Sequence, residues 1–350
     1  MSETTQHSPD VMGSPPGPAA RAEGGWSAGS LLGQLYRQRE TTVFVIAVLS
    51  FVGFWIANSA FVGSTTLSVT FNNTLPPIII IALGEVLLLI CGEIDLSVGF
   101  LVGFSPFMSY FLDVYYHVPA LLAIVIGLLL GAFVGFVNGF LTVTLGLPSF
   151  ITTLGTGFVV WGIMLYTSHA APVPAIPANM ANFGSWLGGG NKYSWLIWAL
   201  VLTAIFHVLL TRTRWGLHTV AVGGNLLGSQ EAGISVARIK YGNFMFTSVL
   251  GSLVGYQTMY YANTIDPNSA SYTPMFNAVT AAVIGGTAML GGSGTVIGAF
   301  FGAIVLANLS VGFAVEGVSA NLYYVIEGAA ILIAMVANVQ LARLRERGGR

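Results

Sequence analysis

Apolar residues occupy most of this chain in runs long enough to cross a bilayer. A spanning helix needs about 20 mostly apolar residues, and ten runs approach that length. We therefore predict an all-α integral membrane protein with about ten transmembrane helices, some of them short or broken. The predicted spans are 41–61, 75–92, 97–114, 118–145, 149–168, 194–211, 243–263, 275–291, 295–315 and 320–341.

Two polar interruptions fall between neighbouring spans. Residues 95–97 (Asp-Leu-Ser) separate the second span from the third, and residues 291–294 (Gly-Gly-Ser-Gly) separate the eighth from the ninth. Non-helical backbone at membrane depth needs protein partners for its N–H and C=O groups. Each of the segments beside these breaks is therefore either a full crossing or a broken, re-entrant piece.

Small residues recur every fourth position in several spans. This spacing puts them on one helical face, where two backbones can approach closely. We predict helix packing within the bundle, the alternatives being a seam between two copies or a pore wall. The glycines are Gly127, Gly131, Gly135 and Gly139 in the fourth span, and the pairs Gly99/Gly103, Gly251/Gly255 and Gly298/Gly302.

The composition agrees with a membrane protein. Hydrophobic residues make up 55% of the chain and charged residues only 7%, whereas soluble domains carry about 25% charged residues. The net charge of -1 gives no reason to expect a nucleic-acid partner. The single cysteine, Cys91, excludes an internal disulfide, and its apolar surroundings predict plain packing.

The basic residues orient the chain. With ten crossings and the N-terminus in the cytoplasm, every Lys and Arg except Lys192 falls on the cytoplasmic face, as the positive-inside rule expects. Both termini are then cytoplasmic. We predict a disordered cytoplasmic tail over 1–39, a membrane domain over 40–341 and a basic cytoplasmic tail over 342–350.

The only long polar segment between apolar runs covers residues 212–242. It contains a helix-capable piece over 225–233, with Asn225 as N-cap and Gly233 as terminator. A small helix held on one membrane face indicates a docking element. The flanking Arg212, Arg214, Arg238 and Lys240 are predicted to anchor the loop and to face anionic lipid.

Acidic residues in or beside apolar runs are candidates for function because they are costly there. Glu85 and Glu93 differ by about 80° around a helix and share a face if the helix continues between them. Asp95 either caps the third span or takes part in function. Glu85 and Glu327 must face a cavity or a polar partner, or be protonated, and for both a functional and a structural role stay open.

No nucleotide or metal motif accompanies these residues. A Walker A motif needs Gly-Lys, but Lys192 follows Asn and Lys240 follows Ile. His-Glu-x-x-His and Cys-x-x-Cys patterns are also absent from the sequence. We therefore expect no cofactor, metal or catalytic residue in this chain, so that active transport would need energy from a partner.

Four blocks together resemble the permease subunits of bacterial ABC importers for ribose, xylose and related simple sugars. They occur in the family's order, and the resemblance covers residues 40–341. The blocks are GEIDLSVG (92–99), LPSFITTLGTGFVVWGI (147–163), TRWGLHTVAVGGNLLGSQEAGISVARIK (213–240) and AAVIGGTAMLGGSGTVIGAFFGA (281–303).

The resemblance implies a ten-helix permease in the bacterial cytoplasmic membrane, acting as a homodimer or a pseudo-symmetric pair. Its partners would be a cytoplasmic ABC ATPase, which uses the ATP, and an extracytoplasmic sugar-binding protein. The piece over 225–233 would be the coupling helix that enters a cleft of the ATPase. The residues implied in that contact are Asn225, Leu226, Ser229, Gln230, Glu231 and Gly233.

The chain departs from the family pattern at four acidic or amide positions. Glu93 replaces a frequent glycine, Glu85 a usual apolar residue, Asn277 a common aspartate and Glu327 a common basic residue. These differences affect the expected substrate and not the expected fold.

The resemblance and the scarcity of fixed charges together predict alternating-access import of a monosaccharide or similar small polar solute. We place Glu93, Asp95, Ser97, Asn138 and Thr287 along the substrate path. One alternative is a proton-coupled secondary transporter using Glu85 and Glu327. A passive channel is a further alternative, which leaves the long loop unexplained.

Overall fold

The computed structural model describes residues 39–173, 177, 180, 193–267, 270–319 and 321–330, together with 332, 333, 336 and 340. Regular structure in these residues is helical, apart from one antiparallel bridge between Val173 and Ile265. The predicted tails lie outside the described residues except for Arg39, and Lys192 lies outside them as well. The domain boundaries and the side assigned to each terminus therefore stay predictions.

Twelve helices are numbered here in chain order within the described residues. Seven of them, α1 to α6 and α11, have the length and apolar composition of membrane spans. The helices are α1 (Arg39–Ala57), α2 (Ser64–Ile90), α3 (Val98–Tyr116), α4 (Ala120–Thr144), α5 (Ser149–Ser168), α6 (Ser194–Arg212), α7 (Arg214–Gly224), α8 (Leu226–Glu231), α9 (Val236–Ala262), α10 (Thr273–Ile284), α11 (Val296–Val315) and α12 (321–330).

An all-α membrane protein is thus confirmed, and each of the ten predicted spans overlaps a helix within the described residues, although the tenth (320–341) lies partly outside them. The number of full crossings is approximate. Helix α9 is 27 residues long, so its length suffices for a span although its composition is more polar. Helix α10 has only 12 residues, which gives a length of about 18 Å and leaves it too short to cross alone.

The main α-helical part of α2 begins at Leu75, as predicted, but a short α-helix and a π-helical turn extend the helix back to Ser64. Pro76 and Pro77 indicate a helix start because proline has no N–H to donate. The chain instead continues through a π-helical turn at Thr70–Thr74. The carbonyl of Asn72, which has prolines four and five positions ahead, accepts a hydrogen bond of 2.9 Å from Nε2 of Gln257 on α9. A tertiary contact therefore replaces the missing helical donor.

The second break is longer than predicted. Helix α10 ends at Ile284 rather than near residue 291, and the chain is non-helical up to Thr295. Gly286, Gly291 and Gly292 have φ values of 89°, 91° and 83°, a region that favours glycine. The short α10 followed by this turn agrees with the broken-segment alternative.

Helix α2 forms the centre of the bundle. In its most apolar window 83% of the residues are buried, compared with 11% for α1. Helices α6, α9, α10 and α11 pack around α2, and α1 lies at the periphery against α11. The end of α2 is therefore a position from which several helices can be influenced.

The glycine stripe of α4 packs inside the bundle, as predicted. It faces α9 so closely that a Cβ built on Gly131 would lie 2.0 Å from Oγ of Ser252, and one on Gly135 would lie 2.6 Å from the carbonyl oxygen of Phe244. The glycines bring the α4 and α9 backbones together. Neither a seam between copies nor a pore wall is needed to explain the stripe.

Candidate functional site

Both helix breaks and the long polar loop meet at the end of α2. The backbone N–H of Gly292, in the second break, donates to the carbonyl oxygen of Ile90 over 2.8 Å. A Cβ built on Gly223, at the end of α7, would lie 1.6 Å from the same oxygen. Three segments that are distant in the sequence thus share a single backbone carbonyl, and we call this contact the Ile90 junction.

The predicted docking element is α8, and its predicted capping is confirmed. Asn225 has extended backbone and its Oδ1 accepts the N–H of Gly228 over 2.9 Å. At the other end Gly233 has φ of 77° and its N–H donates to the carbonyl of Gln230 over 2.9 Å. An amide N-cap and a left-handed glycine terminate this helix locally.

Most of α8 is exposed. Leu227 has 71% of its surface accessible and Leu226 has 44%, and Gln230 and Glu231 are also exposed. Ser229 is 4% exposed, so it turns inward and supports the helix instead of presenting a surface. The remaining side chains form a small, mixed apolar and polar surface suited to contact another protein.

The helices on both sides of α8 are fastened to the end of α2 through Asn243, on α9. Its Nδ2 lies 3.3 Å from the carbonyl of Leu87, 3.4 Å from Sγ of Cys91 and 3.4 Å from Oγ1 of Thr219 on α7. Its Oδ1 accepts Nε1–H of Trp215, also on α7, over 2.9 Å. Sequence reasoning missed Asn243, although an amide at the first position of a predicted span was a signal. Packing is confirmed for Cys91.

Glu93 and Lys240 form an ion pair, with Nζ of Lys240 2.5 Å from Oε1 of Glu93. The prediction that Lys240 faces lipid was therefore wrong, because the side chain folds inward to meet a carboxylate. The condition under which Glu85 and Glu93 would share a helical face is not met. Helix α2 ends at Ile90, which places Glu93 in the loop 91–97 between α2 and α3.

Three predicted path residues meet in one buried network around Asp95. Its Oδ1 accepts the Ser97 N–H over 2.8 Å and the Ser97 hydroxyl over 2.6 Å, and its Oδ2 accepts the hydroxyl of Ser248 on α9 over 3.0 Å. Nδ2 of Asn138 on α4 donates to Asp95 and to Ser97 over 3.3 Å and 2.9 Å. Thr156 on α5 donates to Oδ1 of Asn138 over 2.5 Å.

The network gives Asp95 a local structural role, because its carboxylate accepts the N–H of Ser97, the residue just before α3, and not the first N–H groups of the helix itself. Asp95, Ser97, Asn138 and Ser248 are all fully buried, so the network is closed to solvent in this conformation. It joins α9 and α4 to the break between α2 and α3. Sequence reasoning missed Ser248, since serine in a span carries little signal.

The fifth predicted path residue, Thr287, lies at the Ile90 junction. It is fully buried, and a Cβ on Gly294 would come within 2.7 Å of its Cγ2 and within 2.9 Å of Cγ1 of Ile90. The five residues predicted to line the path therefore occupy two places, the Asp95 network and the Ile90 junction, with Glu93 in the loop 91–97.

The two intramembrane acidic residues occupy different helices. Glu85 is fully buried in α2, and neither of its oxygens has a hydrogen-bonding partner among the described residues. Glu327, on α12, is 7% exposed and lies near Tyr323.

The structure combines a bundle of apolar helices with a buried polar loop between two of them. An exposed short helix is connected to that loop through its neighbouring helices. Together these features define a membrane transport permease. The chain belongs to the family described as branched-chain amino acid transport system / permease component, which matches residues 67–335. It is therefore a transport subunit of a multi-pass membrane permease family. No solved structure matches the chain.

Named relatives come from several organisms. The xylose/arabinose import permease protein XylH of Sulfolobus acidocaldarius is 33% identical over 315 residues, covering 88% of this chain and 86% of its own length. The autoinducer 2 import system permease protein LsrC of Klebsiella pneumoniae is 32% identical, covering 79% of each chain. The probable ABC transporter permease protein YphD of Escherichia coli is 32% identical over 58% of this chain and 60% of its own length. These relatives support an ABC importer permease and not a proton-coupled transporter.

Proposed function

We propose that this chain is the membrane-spanning subunit of an ABC importer that moves a monosaccharide or similar small polar solute by alternating access. Two relatives carry xylose/arabinose import and autoinducer 2 import in their names. A neutral polyhydroxyl solute needs hydrogen-bonding groups along its path and few fixed charges. The network of Asp95, Ser97, Asn138 and Ser248 supplies such groups in a buried position.

The partners follow from the same proposal. A separate cytoplasmic ABC ATPase binds the ATP, since this sequence carries no Walker A motif. An extracytoplasmic binding protein delivers the solute, and a second permease copy completes the membrane unit. The chain lies in the cytoplasmic membrane of a bacterium with both termini, and α8, on the cytoplasmic side.

One observation carries the proposal: the exposed α8 stands between two helices that are both fastened to residues 87–95. Helix α7 reaches this segment through the carbonyl of Thr219, which accepts from Sγ of Cys91, and through Gly223, and α9 reaches it through Lys240 and Asn243. A displacement of α8 by an ATPase therefore acts on the break between α2 and α3 without a long intermediate chain of contacts.

The Asp95 network then alternates between two sets of partners. In the closed state its donors and acceptors satisfy one another, as the distances above describe. When α9 and the loop 91–97 shift relative to α4, Asn138 and Ser97 separate and their polar groups become available to solute hydroxyls. Exchange of internal hydrogen bonds for bonds to the solute keeps buried polar groups paired in both states.

The test is ATP-driven uptake by the assembled transporter. The chain is co-expressed with a Walker-motif ATPase from the same gene cluster, co-purified and reconstituted in vesicles with the cognate binding protein. Uptake of radiolabelled D-xylose and D-ribose and hydrolysis of ATP are then measured together. Absence of any permease–ATPase complex, together with uptake by the permease alone, would falsify the importer proposal.

Matched variants locate the ATPase contact. Gly233→Ala and Gly317→Ala introduce the same methyl group at φ values of 77° and 76°, and neither site has a neighbour within 4 Å of the new Cβ. Glu231→Ala and Glu316→Ala provide a second pair of exposed positions. Only the variants at 231 and 233 are expected to lower uptake per ATP hydrolysed. Equal losses of uptake per ATP in the Glu316 and Gly317 variants would show that α8 is not the contact with the ATPase.

A further inference from the structure

The Lys240–Glu93 ion pair joins the start of α9 to the loop between α2 and α3. Lys240 lies in the second turn of α9, and Glu93 lies in the loop 91–97. The other basic residues of the long loop, Arg212, Arg214 and Arg238, are exposed. Lys240 is therefore the basic residue of this segment that turns toward the break between α2 and α3.

The pair is largely withdrawn from water. The Lys240 side chain is 14% exposed and the Glu93 side chain 13% exposed. Charges in such surroundings are weakly screened, and removal of one partner leaves the other charge without compensation. The pair is consequently a firm link between two backbones, unlike a surface ion pair.

A second contact joins the same two segments. The hydroxyl of Ser248, two helical turns beyond Lys240 on α9, donates to Oδ2 of Asp95 over 3.0 Å. The end of α2 holds the loop 91–97 as far as Glu93, whose N–H donates to the carbonyl of Leu88 over 2.9 Å, and two hydroxyls of α5 accept the N–H groups of Ile94 and Leu96. Side-chain contacts therefore set the position of the loop beyond Glu93. Helix α9 thus holds the loop at two points, Glu93 and Asp95.

We propose that the Lys240–Glu93 pair is the positioning contact that makes the loop 91–97 follow α9 when the ATPase moves α8. This inference rests on the proposed function. With the pair intact, movement at the start of α9 draws Glu93 along and separates the Asp95 network from Asn138. Without the pair, α9 holds the loop through the Ser248–Asp95 hydrogen bond alone, while α4 and α5 hold it on the other side. The loop then follows α9 incompletely, and ATP is hydrolysed with less opening of the path.

A purely structural ion pair makes a different prediction. Its loss would reduce the thermal stability of the protein and would lower uptake and ATP hydrolysis in proportion, leaving their ratio unchanged. Loss of a positioning contact changes the ratio of uptake to hydrolysis. It also weakens the stimulation of ATP hydrolysis by loaded binding protein, because in this proposal the signal from the solute path to the ATPase passes through the same contact.

The experiment compares Lys240→Met, Glu93→Gln and the charge exchange Lys240→Glu/Glu93→Lys in the complete transporter. Arg238→Met is the control, since Arg238 is exposed on the same helix. Lys240→Met and Glu93→Gln are expected to lower uptake per ATP by about tenfold or more. The charge exchange is expected to restore most of the ratio, and Arg238→Met to leave it unchanged. If Lys240→Met does not fold, the nearly isosteric Glu93→Gln gives the same comparison.

Different experimental outcomes would contradict the inference and the proposed function. Wild-type protein without ATP-driven uptake contradicts the proposed function. A coupled wild type with an unchanged ratio in Lys240→Met and Glu93→Gln overturns only the inference. Parallel loss of uptake and hydrolysis that the charge exchange does not repair overturns it as well, because that outcome belongs to a structural pair.

Discussion

Gly223 of α7 lies against the carbonyl oxygen of Ile90, the last residue of α2: a Cβ on Gly223 would come within 1.6 Å of that oxygen. Only a residue without a side chain allows this approach. Because Gly223 stands just before α8, the contact connects the docking element to the central helix of the bundle. The neighbouring Gly224 has no atom within 4 Å of its Cβ position.

The first prediction compares these two glycines. Gly223→Ala forces α7 away from the Ile90 junction and is expected to destabilise the protein by about 1–3 kcal/mol, as overpacking does. Gly224→Ala adds the same methyl group to open space and is the control. Thermal unfolding in detergent and ATP-driven uptake are measured for both. Equal melting temperatures and equal uptake for the two variants would contradict the close approach of Gly223 to Ile90.

The second prediction concerns the Asp95 network. Asp95→Asn replaces one acceptor oxygen by an NH₂ group, which in its better orientation faces Ser248, so that the Ser248 hydroxyl must change from donor to acceptor and the bonds from Ser97 lose a charged acceptor. The mismatch is expected to cost about 1–3 kcal/mol and to lower uptake. Asn73→Ala, at an exposed position of α2, is the control and is expected to behave as wild type. Wild-type melting and uptake for Asp95→Asn would show that the network is not required.

The third prediction tests the interface between α4 and α9. Gly131→Val places a branched side chain against Ser252 and is expected to prevent correct packing, with loss of folded protein in the membrane. Gly155→Val, on α5, is the control because no atom lies within 4 Å of its Cβ position. Fluorescence-detected size-exclusion chromatography compares the folded yields. Equal yields would refute the close contact between the two helices.

The fourth prediction concerns Glu85. Since neither carboxylate oxygen has a hydrogen-bonding partner among the described residues, Glu85→Leu removes a costly buried polar group. We expect the variant to be at least as stable as wild type and to retain uptake. Uptake in vesicles is compared with and without an imposed proton gradient. A folded Glu85→Leu protein that has lost uptake would instead give this carboxylate a role in transport.

Local signals explain what the sequence predicted well. The boundaries of α8 follow from Asn225 and Gly233, whose capping depends on a few neighbouring backbone groups. The four-residue glycine spacing of α4 predicted a packing face because helical geometry relates spacing to direction. The grouping of Asp95, Ser97 and Asn138 was only partly local, since Asn138 comes from another helix.

Contacts between residues far apart in the chain explain what the sequence did not reveal. Nothing near Pro76 and Pro77 reveals that Gln257 would supply the donor that lets α2 continue. Likewise, the inward turn of Lys240 depends on a carboxylate 147 positions away in the chain. Asn243 was missed because its partners, Leu87, Cys91 and Thr219, come from two other helices.

The sequence by itself determined that this chain is a helical membrane permease and where its exposed short helix begins and ends. Hydropathy, capping residues and motif order are properties of short stretches, so no folded neighbour is needed to interpret them. Only the tertiary structure decided that Ile90, Gly223 and Gly292 meet, and that Glu93 pairs with Lys240. Both contacts require backbones distant in sequence to approach within a few ångströms, which depends on the packing of the whole bundle.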